Sequence, residues 1–79
     1  MLVDGTKLGI LVGRALRAAR LARGLTQRDV ARATGSHRPI IARTERGLHV
    51  PKLDVIVRHM TCVGLTLADL GAIMDAAAR

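Results

Sequence analysis

The residues best suited to specific chemistry lie between Gly24 and Gly47, in the stretch GLTQRDVARATGSHRPIIARTERG. This stretch carries five arginines, with Gln27 near its start and Pro39 near the start of its second half. An arginine guanidinium is a rigid fork of N–H donors that stays charged in proteins, so it binds phosphates and paired acceptors but does not exchange protons. The chemistry offered here is therefore recognition of an anion, without bond breaking.

Positive charge extends over most of the chain. Thirteen Lys and Arg stand against six Asp and Glu, which gives a formal net charge of +7, and residues 7–58 hold twelve of the bases and three of the acids. A basic surplus in the body of a small domain, rather than in a tail, favours a polyanionic partner, most often nucleic acid. The alternative is a solvated basic surface that only keeps the protein soluble.

Catalytic and metal-binding patterns do not occur in the sequence. There is no Ser-His-Asp or Cys-His set, no pair of carboxylates and no phosphate-binding glycine loop. The single cysteine, Cys62, falls in an apolar helical pattern and is interpreted as a reduced core thiol. His59 is interpreted as a partly exposed surface residue rather than a metal ligand. We expect no enzyme, no cofactor and no metal ion.

Targeting patterns do not occur either. The first residues, MLVDGTKLGILVG, include Asp4, lack a basic start and offer no small-residue cleavage site, so no signal peptide is expected. No apolar run approaches the ~20 residues of a membrane-spanning helix. The sequence predicts one cytoplasmic domain over residues 1–79 that does not contact a membrane, with residues 1–6 disordered or docked on a partner.

The elements that must position these side chains are predicted to be helices. A core without Phe, Tyr or Trp suits closely packed short helices. Apolar spacing predicts five of them, at about residues 7–23, 27–34, 38–46, 52–62 and 67–78. Capping boxes are predicted at Thr26 with Asp29 and at Thr66 with Asp69, and glycines at positions 24, 35, 47 and 64 are predicted to end the first four helices.

The two halves of the arginine-rich stretch are predicted to be the second and third helices. Pro39 falls in the first turn of the third helix, where its missing N–H has no partner to lose. In the second helix Arg28 and Arg32 are predicted to point outward, and Val30, Ala31 and Thr34 inward. The predicted apolar stripe of the fourth helix is Leu53, Ile56, Val57, Met60 and Val63.

The spacing within these two helices is that of a helix-turn-helix. Counting Gln27 as position one, a small residue falls at five (Ala31), glycine at nine (Gly35) and an aliphatic residue at fifteen (Ile41). With GLTQ, A-x-x-x-G, E-R-G and P-x-L-x-x-[IV], residues 12–70 resemble the lambda-repressor-like, Cro-type helix-turn-helix family, also called the XRE family. The resemblance implies an all-α, five-helix lambda-repressor-like bundle that binds double-stranded DNA through the major groove.

The resemblance also assigns roles to individual residues. It implies base contacts by Arg38, Pro39 and Arg43, flanked by His37, Ile40 and Ala42. Arg43 is the foremost of these base readers, whereas Arg38 is equally able to hold a phosphate. It implies phosphate contacts by Gln27, Arg28, Arg46, His49 and Lys52. For Gln27 the alternative is an exposed side chain without a ligand, and for the last three it is a solvated loop.

The resemblance further implies a structural ion pair between Arg20 and Glu45. Two positions depart from the family pattern, since Ser36 and Thr44 stand where larger apolar residues are usual, which predicts loose packing beneath the third helix. The family usually binds DNA as a homodimer. The apolar stripe of the fifth helix is the candidate dimer surface, unless it only covers its own core; it consists of Leu67, Leu70, Ile73 and Met74.

Two functions are consistent with these patterns. The first is a sequence-specific DNA-binding regulator of transcription, most readily a repressor that occupies its operator; a phage-type switch repressor and a restriction-modification controller are narrower versions. The second is an antitoxin-like interaction module that binds a partner protein, such as a toxin, and regulates its own gene. The operator sequence and any effector are not encoded in a readable pattern.

Overall fold

A computed structural model describes residues 5–79, which form five α-helices and no strand. Helices α2 and α3 pack against each other, α1 packs against α3 and α5, and α2 also packs against α4. The predicted all-α, five-helix fold is confirmed. The helices are α1 Gly5–Ala22, α2 Gln27–Thr34, α3 Arg38–Glu45, α4 Leu53–Cys62 and α5 Leu67–Ala77.

The prediction about the N-terminus concerns residues that are only partly described. Of the segment 1–6, predicted to be disordered or docked, residues 1–4 lie outside the described residues. Gly5 and Thr6 are helical and form the start of α1, two residues earlier than predicted. The apolar periodicity that begins at Leu8 does not extend to them, which is why the predicted start was late.

Two capping boxes begin α2 and α5. The Asp29 N–H donates to Thr26 Oγ1 at 3.0 Å while the Thr26 N–H donates to Asp29 Oδ2 at 2.8 Å. Thr66 and Asp69 repeat the arrangement at 3.2 and 2.7 Å. Each box satisfies N–H groups that have no partner within the helix. The hydrogen bond from the threonine backbone is the main reason that the pKa of each aspartate lies below its ordinary value.

The turn between α2 and α3 is short and has a left-handed glycine. Gly35 has φ 69°, and its N–H donates to the carbonyl of Ala31. His37 then occupies the N-cap position of α3 in an extended conformation, and Pro39 lies in the first turn of that helix. Because only glycine adopts positive φ without steric cost, this turn sets the path by which α3 leaves α2.

The core consists of aliphatic side chains from α1, α2, α3 and α4 and the turn that follows α4. Its buried members are Leu16, Val30, Ala31, Ile41, Met60 and Val63. The predicted stripe of α4 is partly wrong, since Leu53 is 74% exposed and Val57 is exposed as well. The reason is that α4 packs mainly against α2, so only the side of α4 that carries Ile56 and Met60 is covered.

Helix α1 passes close to the end of α3 at Gly13. A Cβ atom on Gly13 would lie 2.5 Å from the carbonyl oxygen of Thr44 and 2.6 Å from that of Glu45. Glycine weakens a helix, but at this position it allows the two backbones to touch. The signal was present, because Gly5, Gly9 and Gly13 recur every four residues and so lie on one face of the helix.

An apolar cleft of about 280 Å³ opens beside Thr44. Its lining includes Leu8, Val12, Ile56 and Leu70. Thr44 is buried, and its hydroxyl donates to the Ile40 carbonyl at 2.8 Å, so the side chain bonds to its own helix instead of filling the space. The cleft lies where the small side chain of Thr44 predicted loose packing.

Candidate nucleic-acid interface

Helix α3 has one face in the interior and one in solvent. Ile41, Thr44 and Glu45 are buried, whereas the arginines at positions 38, 43 and 46 are exposed together with Pro39 and His37. The exposed positions recur about once per turn, so their side chains line the outer surface of α3. This surface carries three guanidinium groups within nine residues.

One predicted base contact is wrong. Ala42 is only 7% exposed and belongs to the buried side of α3. Its methyl group faces the protein interior, so it cannot reach a base edge while α3 stays packed. Its neighbour Arg43 is exposed. Ile40, which also flanks the predicted base readers, is half-buried.

The residues predicted to contact phosphates fall into two groups. Gln27 and Arg28 lie in the first turn of α2, and together with Arg38 they line an open depression. Arg46, His49 and Lys52 lie at the end of α3 and in the loop that follows it, outside that depression. Arg46 and Lys52 are exposed, whereas His49 is half-buried and lines the apolar cleft beside Thr44.

Arg20 and Glu45 form a buried ion pair between α1 and α3. Arg20 Nε donates to Glu45 Oε2 at 2.7 Å, and Arg20 Nη2 donates to Glu45 Oε1 at 3.0 Å. Arg20 Nη1 also donates to the Leu25 carbonyl at 2.9 Å. The two-point geometry and the third hydrogen bond compensate the cost of removing both charges from water. The pair holds the end of α3 against α1, and the hydrogen bond to Leu25 holds the turn that follows α1.

Two further hydrogen bonds connect this pair to the surface. Gln27 Nε2 donates to Glu45 Oε1 at 3.2 Å, and Arg38 Nη1 donates to Gln27 Oε1 at 3.0 Å. Neither link was predicted, because each joins residues eleven or more positions apart and no periodicity connects them. The result is one hydrogen-bonded series, Arg20–Glu45–Gln27–Arg38, which we call the arginine-to-arginine relay.

A model of the helix-turn-helix domain family matches residues 11–73. The chain belongs to the helix-turn-helix domain family. This match confirms the helix-turn-helix resemblance seen in the motifs, and α2, the Gly35 turn and α3 have the arrangement of the helix-turn-helix itself. The fold is thus that of a DNA-binding regulator.

Two solved structures are similar to this helix-turn-helix domain. The clp gene regulator ClgR from Corynebacterium glutamicum has 25% sequence identity and a TM-score of 0.78, over 87% of this chain and 73% of that one. The restriction-modification controller protein C.AhdI from Aeromonas hydrophila has 30% identity and a TM-score of 0.70, over 77% of this chain and 92% of that one. No curated protein sequence matches.

His59 corrects another expectation, because it is buried within the helix-turn-helix domain instead of lying on its surface. Only 1% of the residue is exposed, and its Nε2 has no hydrogen-bond partner among the described residues. Burial is the main cause that lowers the pKa of His59; Glu45 acts in the opposite direction, and Arg20 lowers the pKa further. The imidazole is therefore neutral at neutral pH.

The described residues offer neither a metal-binding cluster nor a single helix that could span a membrane. Within residues 5–79 of the helix-turn-helix domain, no three His, Cys, Asp or Glu side chains are grouped so that they could hold a metal ion. In the same part of the chain no single helix is long and apolar enough to cross a membrane; α4 and α5 reach that length only together, with a bend of 114°.

Proposed function

We propose that this helix-turn-helix domain is a sequence-specific transcriptional regulator that binds its operator as a homodimer and represses by occupying it. The observation that carries the proposal is the outer surface of α3, where Arg38, Arg43 and Arg46 are exposed while the opposite side is fixed in the core. An α-helix of this kind fits the major groove, whose base edges present the acceptors that arginine binds.

Base reading is assigned to the exposed residues at the start and middle of α3. Arg43 is the foremost reader, because a guanidinium can donate to guanine N7 and O6 together. Arg38 also reads a base, and Pro39 and His37 lie beside it at the start of the helix. The exposed ring of Pro39 is suited to apolar contact with a thymine methyl group.

Phosphate contacts frame this surface. At the start of α2, Gln27 and Arg28 donate to a phosphate, helped by the positive end of the helix. Arg46, His49 and Lys52 donate to another at the far end of α3. Such contacts fix the register on DNA without reading sequence, so they contribute to affinity for every duplex.

Dimerisation is assigned to α5. Leu67 is 82% exposed and Met74 is exposed as well, whereas Leu70 packs against the core. Residues 59–78 contain no Lys or Arg and include Asp69 and Asp75, so α5 itself adds no positive charge to a contact between two chains of charge +7. Two protomers would place their α3 helices in successive major grooves, ~34 Å apart.

The similar structures support a regulatory role rather than an enzymatic one. ClgR is a clp gene regulator and C.AhdI is a restriction-modification controller. A protein that acts by occupying chromosomal DNA works in the compartment that holds this DNA, which in bacteria is the cytoplasm. We accordingly propose a cytoplasmic, non-enzymatic protein whose partner is double-stranded DNA.

The test is fluorescence anisotropy with labelled duplexes at several salt concentrations. One duplex comes from upstream of the protein's own gene, and a scrambled duplex of equal length is the control. We expect a preference of about 10³ or more for the specific duplex, with affinity for both falling as salt rises. If both duplexes bind equally and with the same salt dependence, the measurement is repeated with duplexes selected from a random pool. Equal binding there as well would contradict sequence-specific regulation and favour the antitoxin-like alternative.

A further inference from the structure

We propose that Glu45 is a positioning residue for DNA recognition: through Gln27 it sets the orientation in which Arg38 meets the bases. The inference rests on the proposed DNA-binding function. It is carried by the arginine-to-arginine relay, in which Glu45 Oε1 accepts from Gln27 Nε2 at 3.2 Å and Gln27 Oε1 accepts from Arg38 Nη1 at 3.0 Å.

The chemistry of the two neighbours leaves the Gln27 amide one orientation. An ionised carboxylate only accepts hydrogen bonds, and a guanidinium only donates them. The NH₂ group of Gln27 must therefore face Glu45 and its oxygen must face Arg38. The reversed amide would place oxygen against a carboxylate and NH₂ against a guanidinium, and both hydrogen bonds would be lost.

Glu45 itself cannot move to follow Gln27. Its two oxygens receive Arg20 Nη2 and Nε, both groups are buried, and Arg20 is held additionally by the Leu25 carbonyl. The carboxylate is thus a fixed acceptor at the inner end of the relay. Gln27, which is half-buried, joins this fixed point to the exposed guanidinium of Arg38.

The N–H donors that the relay leaves unused are available to a ligand. Gln27 Nε2 has two hydrogens, of which the relay uses one, so the second can donate to a phosphate oxygen. Arg38 uses one of its five N–H donors on Gln27, which leaves the others for a base edge. One side chain, Gln27, therefore links the phosphate contact to the base contact.

The relay predicts that Gln27 contributes to sequence preference and not only to affinity. A residue that contacts phosphate alone weakens binding to all sequences equally. A residue that also orients Arg38 changes the preference at the base pair that Arg38 reads. This difference separates a positioning role from a merely structural or electrostatic one.

The experiment first selects the preferred duplex of the wild-type protein from a random pool and measures affinity for each single base change. Arg38→Ala identifies the base pair that Arg38 reads, at which the wild type discriminates by about tenfold or more. Gln27→Met, which keeps the length of the side chain, and the paired Arg20→Met with Glu45→Met, which strands no buried charge, are then measured on the same panel. Arg28→Ala, the next residue along α2, is the matched control.

We expect both relay variants to lose the preference at that one base pair and to keep it elsewhere, whereas Arg28→Ala weakens all duplexes equally. Glu45→Asp keeps the charge that pairs with Arg20 but draws the carboxylate back from Gln27, so it tests Glu45 if the paired variant does not fold, and the same loss is expected. Gln27→Met is exposed enough to fold and tests the link to Arg38. A Gln27→Met or paired variant with the wild-type preference at that base pair would overturn the relay, and so would Arg38→Ala with an unchanged profile. A wild type that selects no sequence would instead contradict the proposed function itself.

Discussion

At the scale of single residues, arginines with the same chemistry occupy three different environments. Arg20 is buried and paired with Glu45, Arg38 is held at one N–H by Gln27, and Arg43 is exposed on the outer surface of α3. The identity of a residue therefore does not decide its role. What decides it is the set of acceptors that the fold brings within reach.

Arg43→Ala should relax sequence preference while leaving the fold intact, because the side chain is exposed and belongs to no core contact. We expect the ratio of affinities for the preferred and scrambled duplexes to fall about five- to hundredfold. Anisotropy titrations with both duplexes measure it. Arg46→Ala, one turn further on, should lower both affinities and keep the ratio. An unchanged ratio in Arg43→Ala would withdraw the base-reading assignment.

His59 should make the domain less stable in acid. Its pKa is lowered in the folded state by burial, and Arg20 lowers it further while Glu45 opposes the shift. As pH falls below about 6.5, the unfolded chain binds a proton at His59 that the folded chain does not, so stability present above that pH is progressively lost. The loss of stability occurs between about pH 6.5 and the pKa of His59 in the folded state.

Urea unfolding followed by far-UV circular dichroism at about pH 7.5 and about pH 5.5 measures this loss. His59→Leu is the comparison, since it also removes the Nε2 atom that has no partner in the described residues. We expect a smaller loss of stability in the variant than in the wild type. The substitution leaves every other ionisable residue in place, so a difference between the two proteins is due to position 59. An equal loss would show that His59 is not responsible.

At the scale of the elements, local signals predicted the helix boundaries, whereas most contacts between helices were not predicted; the Arg20–Glu45 pair was implied only by the family resemblance. The bounds of α2 were predicted to the residue, because a capping box and a C-terminal glycine are local signals. The uncovered side of α4, the buried His59 and the inward Ala42 were not predicted, since burial depends on which other helix packs alongside. The two hydrogen bonds of Gln27 were not predicted for the same reason, because they depend on how α2 packs against α3.

Gly13→Ala should destabilise the domain even though alanine is the better helix former. Its Cβ would collide with the carbonyl oxygens of Thr44 and Glu45, which are backbone atoms and cannot rotate away. We expect a loss of about 1–3 kcal/mol in the free energy of unfolding, measured by urea titration. Gly71→Ala in α5 is the control, because a Cβ there meets no atom within 4 Å.

The control should gain about 0.5–1 kcal/mol, since alanine loses less backbone entropy than glycine in an exposed helix. The pair of variants thus separates helix propensity from close packing. If Gly13→Ala were as stable as the wild type, α1 would not be held against the end of α3 as described.

At the scale of the whole molecule, positive and negative charge are divided between different parts of the chain. The basic surplus is confined to residues 7–58, whereas residues 59–78 carry only acidic charges. That end includes the exposed side chains of α5. In the proposed complex the basic surface of α3 meets DNA and α5 meets a second copy of the chain.

Leu67→Glu combined with Met74→Glu should produce a monomer. Placing four carboxylates across a two-fold contact would oppose association by repulsion and by loss of apolar area. Sedimentation equilibrium at several protein concentrations measures the mass. Leu21→Glu, which changes an exposed leucine on α1, should keep the mass of the wild type. A double variant that still dimerises would place the contact elsewhere.

The relay has a consequence for engineering the base preference of this domain. Exchanging only the outward residues of α3 would leave the Gln27 amide still oriented by Glu45, and a new side chain at position 38 that cannot donate to the Gln27 oxygen would lose its support. The base preference therefore cannot be transferred by exchanging α3 alone. A library that aims at a new target sequence needs to vary positions 27 and 38 together, with 20 and 45 as a coordinated second pair.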